Sequence, residues 1–347
     1  MSGRPQMAWP RLGLGLAWGS VALSLAASPW IAEAPAIVWL VPWAASVVVL
    51  GLPHGALDPF VPFRMRGEPL GARRVAVFCA LYLGTAGAVI ALWALAPVAA
   101  AVGFVALTWA HWGQGDVFAL RALGWDAHLT SRPHLALAGA VRGALPMLVP
   151  LAAQPSAYAA VLGDLAALFD PDGAAGVGAM VAPAAGIVLW ALIGGYALWG
   201  AASAWRRNAW RPLALDLGEV AGLGVFFAVL PPLWSVGVYF CAWHALRHLA
   251  RLEPIVAPRR PLRLALLAAP ATLGALALFA GLGWLLVERP AAGALLSVYL
   301  VGIAAVTVPH VLVVSWMDAR QGVWRPRPST QAGVLASKAR RSNTGGR

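Results

Sequence analysis

Ten apolar runs, each near the length of a bilayer-crossing helix, follow one another at roughly 12–28, 35–54, 75–95, 97–118, 134–153, 181–203, 214–231, 234–250, 263–286 and 293–316. Backbone polar groups in hydrocarbon must be satisfied within their own segment, so continuous runs of this kind form helices. The expected fold class is all-α, a polytopic transmembrane helix bundle of about ten spans. Composition agrees: of 347 residues, 61% are hydrophobic and 11% charged, against roughly a quarter charged in a soluble domain. No polar stretch is long enough to fold separately, which leaves one helical domain over 1–317. The break at Pro97 reads as a tight hairpin, and the weaker segment 156–170 as an extra surface helix. Arg4 and Arg11 before the first run, with SLAAS after it, have the layout of a cleaved signal peptide as well as of a retained helix. The retained helix is the reading adopted.

Arginine placement gives the orientation. With the N-terminus cytoplasmic, the inside segments hold Arg4 and Arg11, then Arg64, Arg66, Arg73 and Arg74, then Arg121 and Arg132. Arg206, Arg207 and Arg211 follow, then Arg251, Arg259, Arg260 and Arg263, and the tail from Arg320. The outside loops hold only Arg289, beside Glu33, Asp164, Asp170, Asp172 and Glu288. This alternation follows the positive-inside rule and places both termini in the cytoplasm. Residues 318–347 read as a disordered basic tail near anionic lipid. The net charge of +12 is scattered through loops and tail without a basic face, which argues against nucleic acid as a partner. Cys79 and Cys241 lie in apolar segments and read as buried thiols. Trp30, Trp39, Trp199, Trp205, Trp210 and Trp234 sit near span ends, where indoles anchor helices at the interface.

The chemistry lies in the histidines. YFCAWHALRHLAR (239–251) carries His244 and His248 four residues apart, on one face of a helix. Two imidazoles side by side in hydrocarbon need a partner; a metal such as iron, copper or zinc is one, and mutual hydrogen bonding inside a bundle is the other. His54, His111 and His310 lie on three further spans, and all five fall in the cytoplasmic half of their spans, at depths agreeing within about two turns. Five intramembrane imidazoles at one level favour the metal. His128 and His134 fall at a cytoplasmic loop and read as solvated. GLPHGALD (51–58) and HWGQGD (111–116) set glycines beside the histidine, allowing close approach of a helix or a flat ligand, and end in Asp58 and Asp116. Both are candidate outer-shell carboxylates, and Asp58, one turn from His54, is placed to orient that ring. The alternative for both aspartates is a polar helix end. In TVPHV (307–311), His310 follows a proline at an expected kink.

GLPHGALD, TWAHWGQGD, YFCAWHALRHLARL and TVPHVLVVSWMD, in this order over residues 40 to 318, resemble the Brp/Blh family of bacterial and archaeal membrane β-carotene 15,15′-dioxygenases. Pro59 departs from the pattern of some members, which touches the helix end and not the ligand set. The resemblance implies Fe(2+) held by His54, His111, His244 and His248, with His310 as a further ligand or a residue of the cleft. It implies β-carotene and O2 as substrates, a multi-pass protein of the bacterial or archaeal inner membrane with the lipid bilayer as partner, and a functional link to a microbial rhodopsin. The polyene carries no acidic or leaving group, so no catalytic residue is expected beyond the metal centre. Trp109, Trp112, Tyr239 and Trp243, adjacent to the ligands, are expected to line a dry substrate tunnel, with Phe226, Phe227 and Trp234 as weaker candidates. Two other classes stay open. A desaturase- or hydroxylase-like oxidase would need about eight histidines for two irons. A haem-carrying or carotenoid-carrying bundle would bind its pigment without cleaving anything.

Overall fold

The computed structural model describes residues 7–171, 177–287 and 292–326, which are helical, with no strand among them. α1 (Pro10–Ala26) and the short α2 (Ser28–Glu33) lead into a broken helical stretch. It is cut into α3 (Ala36–Trp39), α4 (Val41–Val48), α5 (Gly51–Gly55), a 3₁₀ turn (Asp58–Phe60) and α6 (Val61–Arg66). Pro42, Pro53, Pro59 and Pro62 explain the breaks, since each lacks the N–H that would continue the ladder. α7 (Ala72–Leu95) and α8 (Pro97–Leu123) form the expected hairpin, and α8 ends on Gly124 in the left-handed conformation. Then come α9 (Arg132–Ala153), α10 (Pro155–Ala167), α11 (Val177–Arg207) and α12 (Trp210–Val229). α13 (Pro232–Val238) continues through a π-helical turn (Tyr239–Ala245) into α14 (Leu246–Val256), and α15 (Pro261–Leu286) and α16 (Ala292–Gln321) complete the order.

Among the described residues, seven helical stretches are long and apolar enough to cross a membrane. The runs expected at 12–28, 97–118 and 234–250 also fold as helices but fall outside these seven. α1 has only 17 residues, and α8 and α13–α14 carry buried polar and charged side chains that dilute their apolar character. α9 lies at the centre of the bundle, while α7 and α15 show most of their surface to the outside. α8 and α9 approach so closely that a Cβ on Gly113 would meet the Gly139 carbonyl at 2.0 Å, and one on Gly143 the Trp109 carbonyl at 1.9 Å. Only glycine permits that contact. α1 is part of the core: Ala17 and Val21 are buried, and Trp18 meets Trp243 edge-on with centroids 5.3 Å apart.

Three expectations need correction. The segment 156–170 is not a surface helix, because Tyr158, Leu162 and Leu165 of α10 are buried in the main core. The ordered chain does not end at 317. α16 runs to Gln321, Asp318 is buried and paired with Arg251 at 2.6 Å, and Val323 is buried beyond it. Cys79 and Cys241 are free thiols that are only half-buried. Arg4, Asp172, Glu288, Arg289 and the tail from 327 lie outside the described residues.

Candidate metal centre and its cavity

The five intramembrane histidines converge. His54 comes from α5, His111 from α8, His244 from the π turn, His248 from α14 and His310 from α16, and all are buried. Ring centroids trace a closed circuit: His111 to His244 is 4.8 Å, His244 to His248 6.4 Å, His248 to His310 5.1 Å and His310 to His111 4.9 Å. His54 stands edge-on to three of the four, at 5.5 Å from His244, 5.4 Å from His248 and 5.1 Å from His310. The four-residue spacing of His244 and His248 does set their rings side by side, 13° from parallel. It does so across a π turn, an insertion common at functional sites.

Three of the rings are aimed by their other nitrogen. His54 Nδ1 bonds the Gly51 carbonyl within its own short helix. His310 Nδ1 lies 2.8 Å from Asp58 Oδ2. His111 Nδ1 lies 3.5 Å from Gln114 Oε1, and the Gln114 amide donates to Ser315 at 3.1 Å, which leaves Oε1 as the acceptor. An Nδ1–H used as donor leaves the Nε2 lone pair free. The Nε2 atoms of His111, His244, His248 and His310 are buried with no hydrogen-bond partner. Such atoms are costly unless something binds them. Nitrogen atoms of His54, His111 and His310 lie within 4.8 Å of one another, as do ligand atoms of Asp58, His248 and His310. A donor set of imidazoles with a carboxylate behind one of them fits a transition-metal ion. His310, expected as ligand or cleft residue, is an integral member of the cluster.

Asp58 stands behind a clustered histidine as expected, but behind a different ring, and Asp116 stands behind none. Asp58 does not orient His54; it holds His310 and accepts from Tyr82 at 3.2 Å. The chain between them leaves the α-helix after Gly55 and re-enters as a 3₁₀ turn, so the one-turn register does not apply. Asp116 touches no histidine and is no exposed helix end. It is buried and takes Trp243 Nε1 at 3.1 Å, Arg247 at 3.2 Å and Arg142 at 3.3 Å. Arg142 in turn binds Asp216 at 2.5 Å and Glu219 at 3.0 Å, and Arg247 binds Glu219 at 2.7 Å. Sequence reasoning passed over this ionic cluster, although charged residues inside apolar runs were its visible sign. His128 and His134 are not solvated either. His128 is buried 2.9 Å from Asp216, and His134 stacks on Trp199 at 4.7 Å.

A cavity of about 500 Å³ opens beside the histidines, within the ~300–1,000 Å³ typical of small-molecule sites. His54, His111, His244 and His310 form part of its wall, and apolar side chains form nearly all the rest. Of the four aromatics expected to line it, only Trp112 does. Trp109 turns to α9, donating to the Ala140 carbonyl at 2.7 Å. Tyr239 stacks on Trp243 one layer behind, and Trp243 faces Asp116, Arg247 and Trp18. Phe226, Phe227 and Trp234 also stay off the wall. Adjacency in sequence to a ligand does not set side-chain direction. Trp43, Phe240, Phe104 and Tyr158 line the cavity instead, from elements brought together only by the fold. Leu83 of α7 and Leu278 of α15 line it while 51% and 54% exposed, so its wall includes side chains that also face the outside.

Comparison with known proteins accords with this site. A chain named probable beta-carotene 15,15′-dioxygenase Blh, from Halobacterium salinarum strain NRC-1, is 40% identical over 347 residues, covering 92% of this chain and 95% of the relative. One named probable beta-carotene 15,15′-dioxygenase Brp, from Halobacterium salinarum strain R1, is 30% identical over 304 residues, covering 80% and 83%. No solved structure matches the chain. The family profile described as beta-carotene 15,15′-dioxygenase matches residues 45–318 and takes in all five clustered histidines, so the chain belongs to the β-carotene 15,15′-dioxygenase family.

Proposed function

We propose that this protein splits β-carotene at its central double bond with O2 to give two molecules of retinal, using Fe(2+) held by His54, His111, His244, His248 and His310. The observation that carries the proposal is the convergence of five buried imidazoles, four with unpartnered Nε2 atoms, at the wall of an apolar cavity. The reaction balances without a further reductant: one C=C bond breaks, and each of its carbons takes one atom of O2 as an aldehyde oxygen. The bound iron would supply the activation of dioxygen that an unassisted polyene lacks.

The rest belongs to the protein's own residues. Gly51, Asp58 and Gln114 hold three rings by their Nδ1 atoms, so the donor set is preorganised. Trp112 and Phe240 offer ring faces to a conjugated chain. The apolar wall excludes water from the cleavage point. A substrate dissolved in lipid enters from the bilayer between α7 and α15, past Leu83 and Leu278. Ten crossings with both termini in the cytoplasm account for the distribution of the arginines. The test is expression in a bacterium that makes β-carotene, with iron per purified chain measured in parallel. Orange colour should fade as retinal appears, with about one iron per chain for a mononuclear centre. Colour that persists with no retinal overturns the reaction; two irons per chain would indicate a desaturase-like centre instead.

A further inference from the structure

Four described threonines lie on helices, and three of them behave alike. Thr85, Thr272 and Thr307 turn their hydroxyls back to the carbonyl one turn earlier, at 2.9, 2.9 and 2.7 Å. This is the usual way a helical threonine satisfies itself away from water. Thr108 does not: its Oγ1 is buried and has no hydrogen-bond partner. It lies on α8 one turn before His111, and both residues line the cavity.

The other hydroxyls on that wall are engaged. Tyr82 donates to Asp58 or the Val306 carbonyl, Tyr158 to the sulfur of Met147, and Thr307 to Ile303. Among the described residues, Thr108 is thus the free hydroxyl of the cavity. A hydrocarbon substrate offers it nothing, and a buried donor without a partner costs stability. A hydrogen-bond acceptor inside the cavity can meet it there. If the cavity takes the polyene as argued above, the oxygen-bearing species of lasting geometry are the aldehyde products.

We propose that the Thr108 hydroxyl donates a hydrogen bond to the aldehyde oxygen of one retinal product, making this wall of the cavity an aldehyde-binding subsite beside the histidine cluster. The proposal rests on the functional reading above but is tested apart from turnover. Purified full-length protein is titrated with all-trans-retinal and, separately, with β-carotene, and the carbonyl stretch of bound retinal is read by infrared difference spectroscopy. Thr108→Val keeps the shape and removes the donor; Thr108→Ser restores it. In Thr108→Val, retinal binding should weaken about fivefold, the worth of one neutral hydrogen bond. Its carbonyl stretch should move up towards the value in hydrocarbon solvent, while β-carotene binding stays unchanged. Thr108→Ser should return both retinal readouts to the wild-type values. Thermal stability should not fall in Thr108→Val, because an unpaired buried hydroxyl is removed. Equal retinal affinity and carbonyl frequency in wild type and Thr108→Val overturn the subsite. Weakening of β-carotene and retinal binding alike would reassign Thr108 to packing and also overturn it. Wild-type protein that binds retinal with a lowered carbonyl frequency yet makes none from β-carotene would count against the reaction and leave the subsite standing.

Discussion

Replacing Asp58 by asparagine separates the aim of His310 from the shape of its surroundings. The carboxylate is buried and accepts both His310 Nδ1, at 2.8 Å, and the Tyr82 hydroxyl, at 3.2 Å, on Oδ2. Its Oδ1 has no partner, so an amide NH2 in that place loses no existing bond. Asparagine therefore keeps the volume and both contacts on Oδ, but swaps a charge-assisted hydrogen bond for a neutral one. Bonds of the first kind are worth about 1.5–3 kcal/mol and of the second about 1 kcal/mol. The difference of roughly 0.5–2 kcal/mol acts on the orientation and basicity of Nε2, and corresponds to about a 2- to 30-fold loss of metal affinity. That range overlaps the ~10–100-fold typical of partners behind metal-bound histidines. Tyr82→Phe, which removes a neutral donor shared between Asp58 and the Val306 carbonyl, should cost about two- to threefold. The assay is competition between the iron-loaded protein and a coloured chelator, with a thermal melt of each variant as the folding control. Asp58→Asn holding iron as tightly as wild type, while His111→Ala loses it, would refute the role assigned to Asp58.

His111→Ala and His248→Ala should each abolish bound iron and retinal formation while membrane insertion persists, checked by metal analysis and chromatography of membrane extracts. His128 has no part in the metal centre, but His128→Ala should lower thermal stability by about 1–3 kcal/mol, because its removal strips a partner from buried Asp216. A melt in detergent that matches wild type would contradict this.

Much of the site is legible in the chain because imidazole is conspicuous in hydrocarbon. His54, His111, His244 and His248 could be named from their depth and motifs, and His310 from its proline. What periodicity does not carry is the direction of a side chain across a broken helix. Asp58 is set for His54 only while residues 51–60 are taken as one helix; the prolines redirect it to His310, 252 residues away. The cavity wall was largely hidden for a related reason. Trp43, Tyr82, Phe104, Tyr158 and Phe240 come from five elements whose neighbours are settled by packing. Thr108 could be seen in the TWAHWGQGD motif, but its missing partner becomes visible only when every other hydroxyl on the wall has been traced.

The ionic cluster behind the site bears on how the chain is made. Arg142 arrives in the membrane on α9, 26 residues after its partner Asp116 on α8, while Asp216 and Glu219 arrive on α12, 74 and 77 residues later. A lone arginine at a helix centre costs about 2.5–3.5 kcal/mol to insert. At the ~5–20 residues per second of synthesis, the wait for Asp216, which binds Arg142 through both Nε and Nη2, is roughly 4–15 s. Through that interval Asp116 of α8 is the one acidic partner Arg142 can have, so α8 and α9 have to stay together beside the insertion channel or another sheltered surface, with α10 and α11 threaded past them. Site-specific crosslinking of stalled ribosomes should find α9 still at the channel when α12 emerges; early release of α9 into lipid would mean that Arg142 is accommodated in some other way.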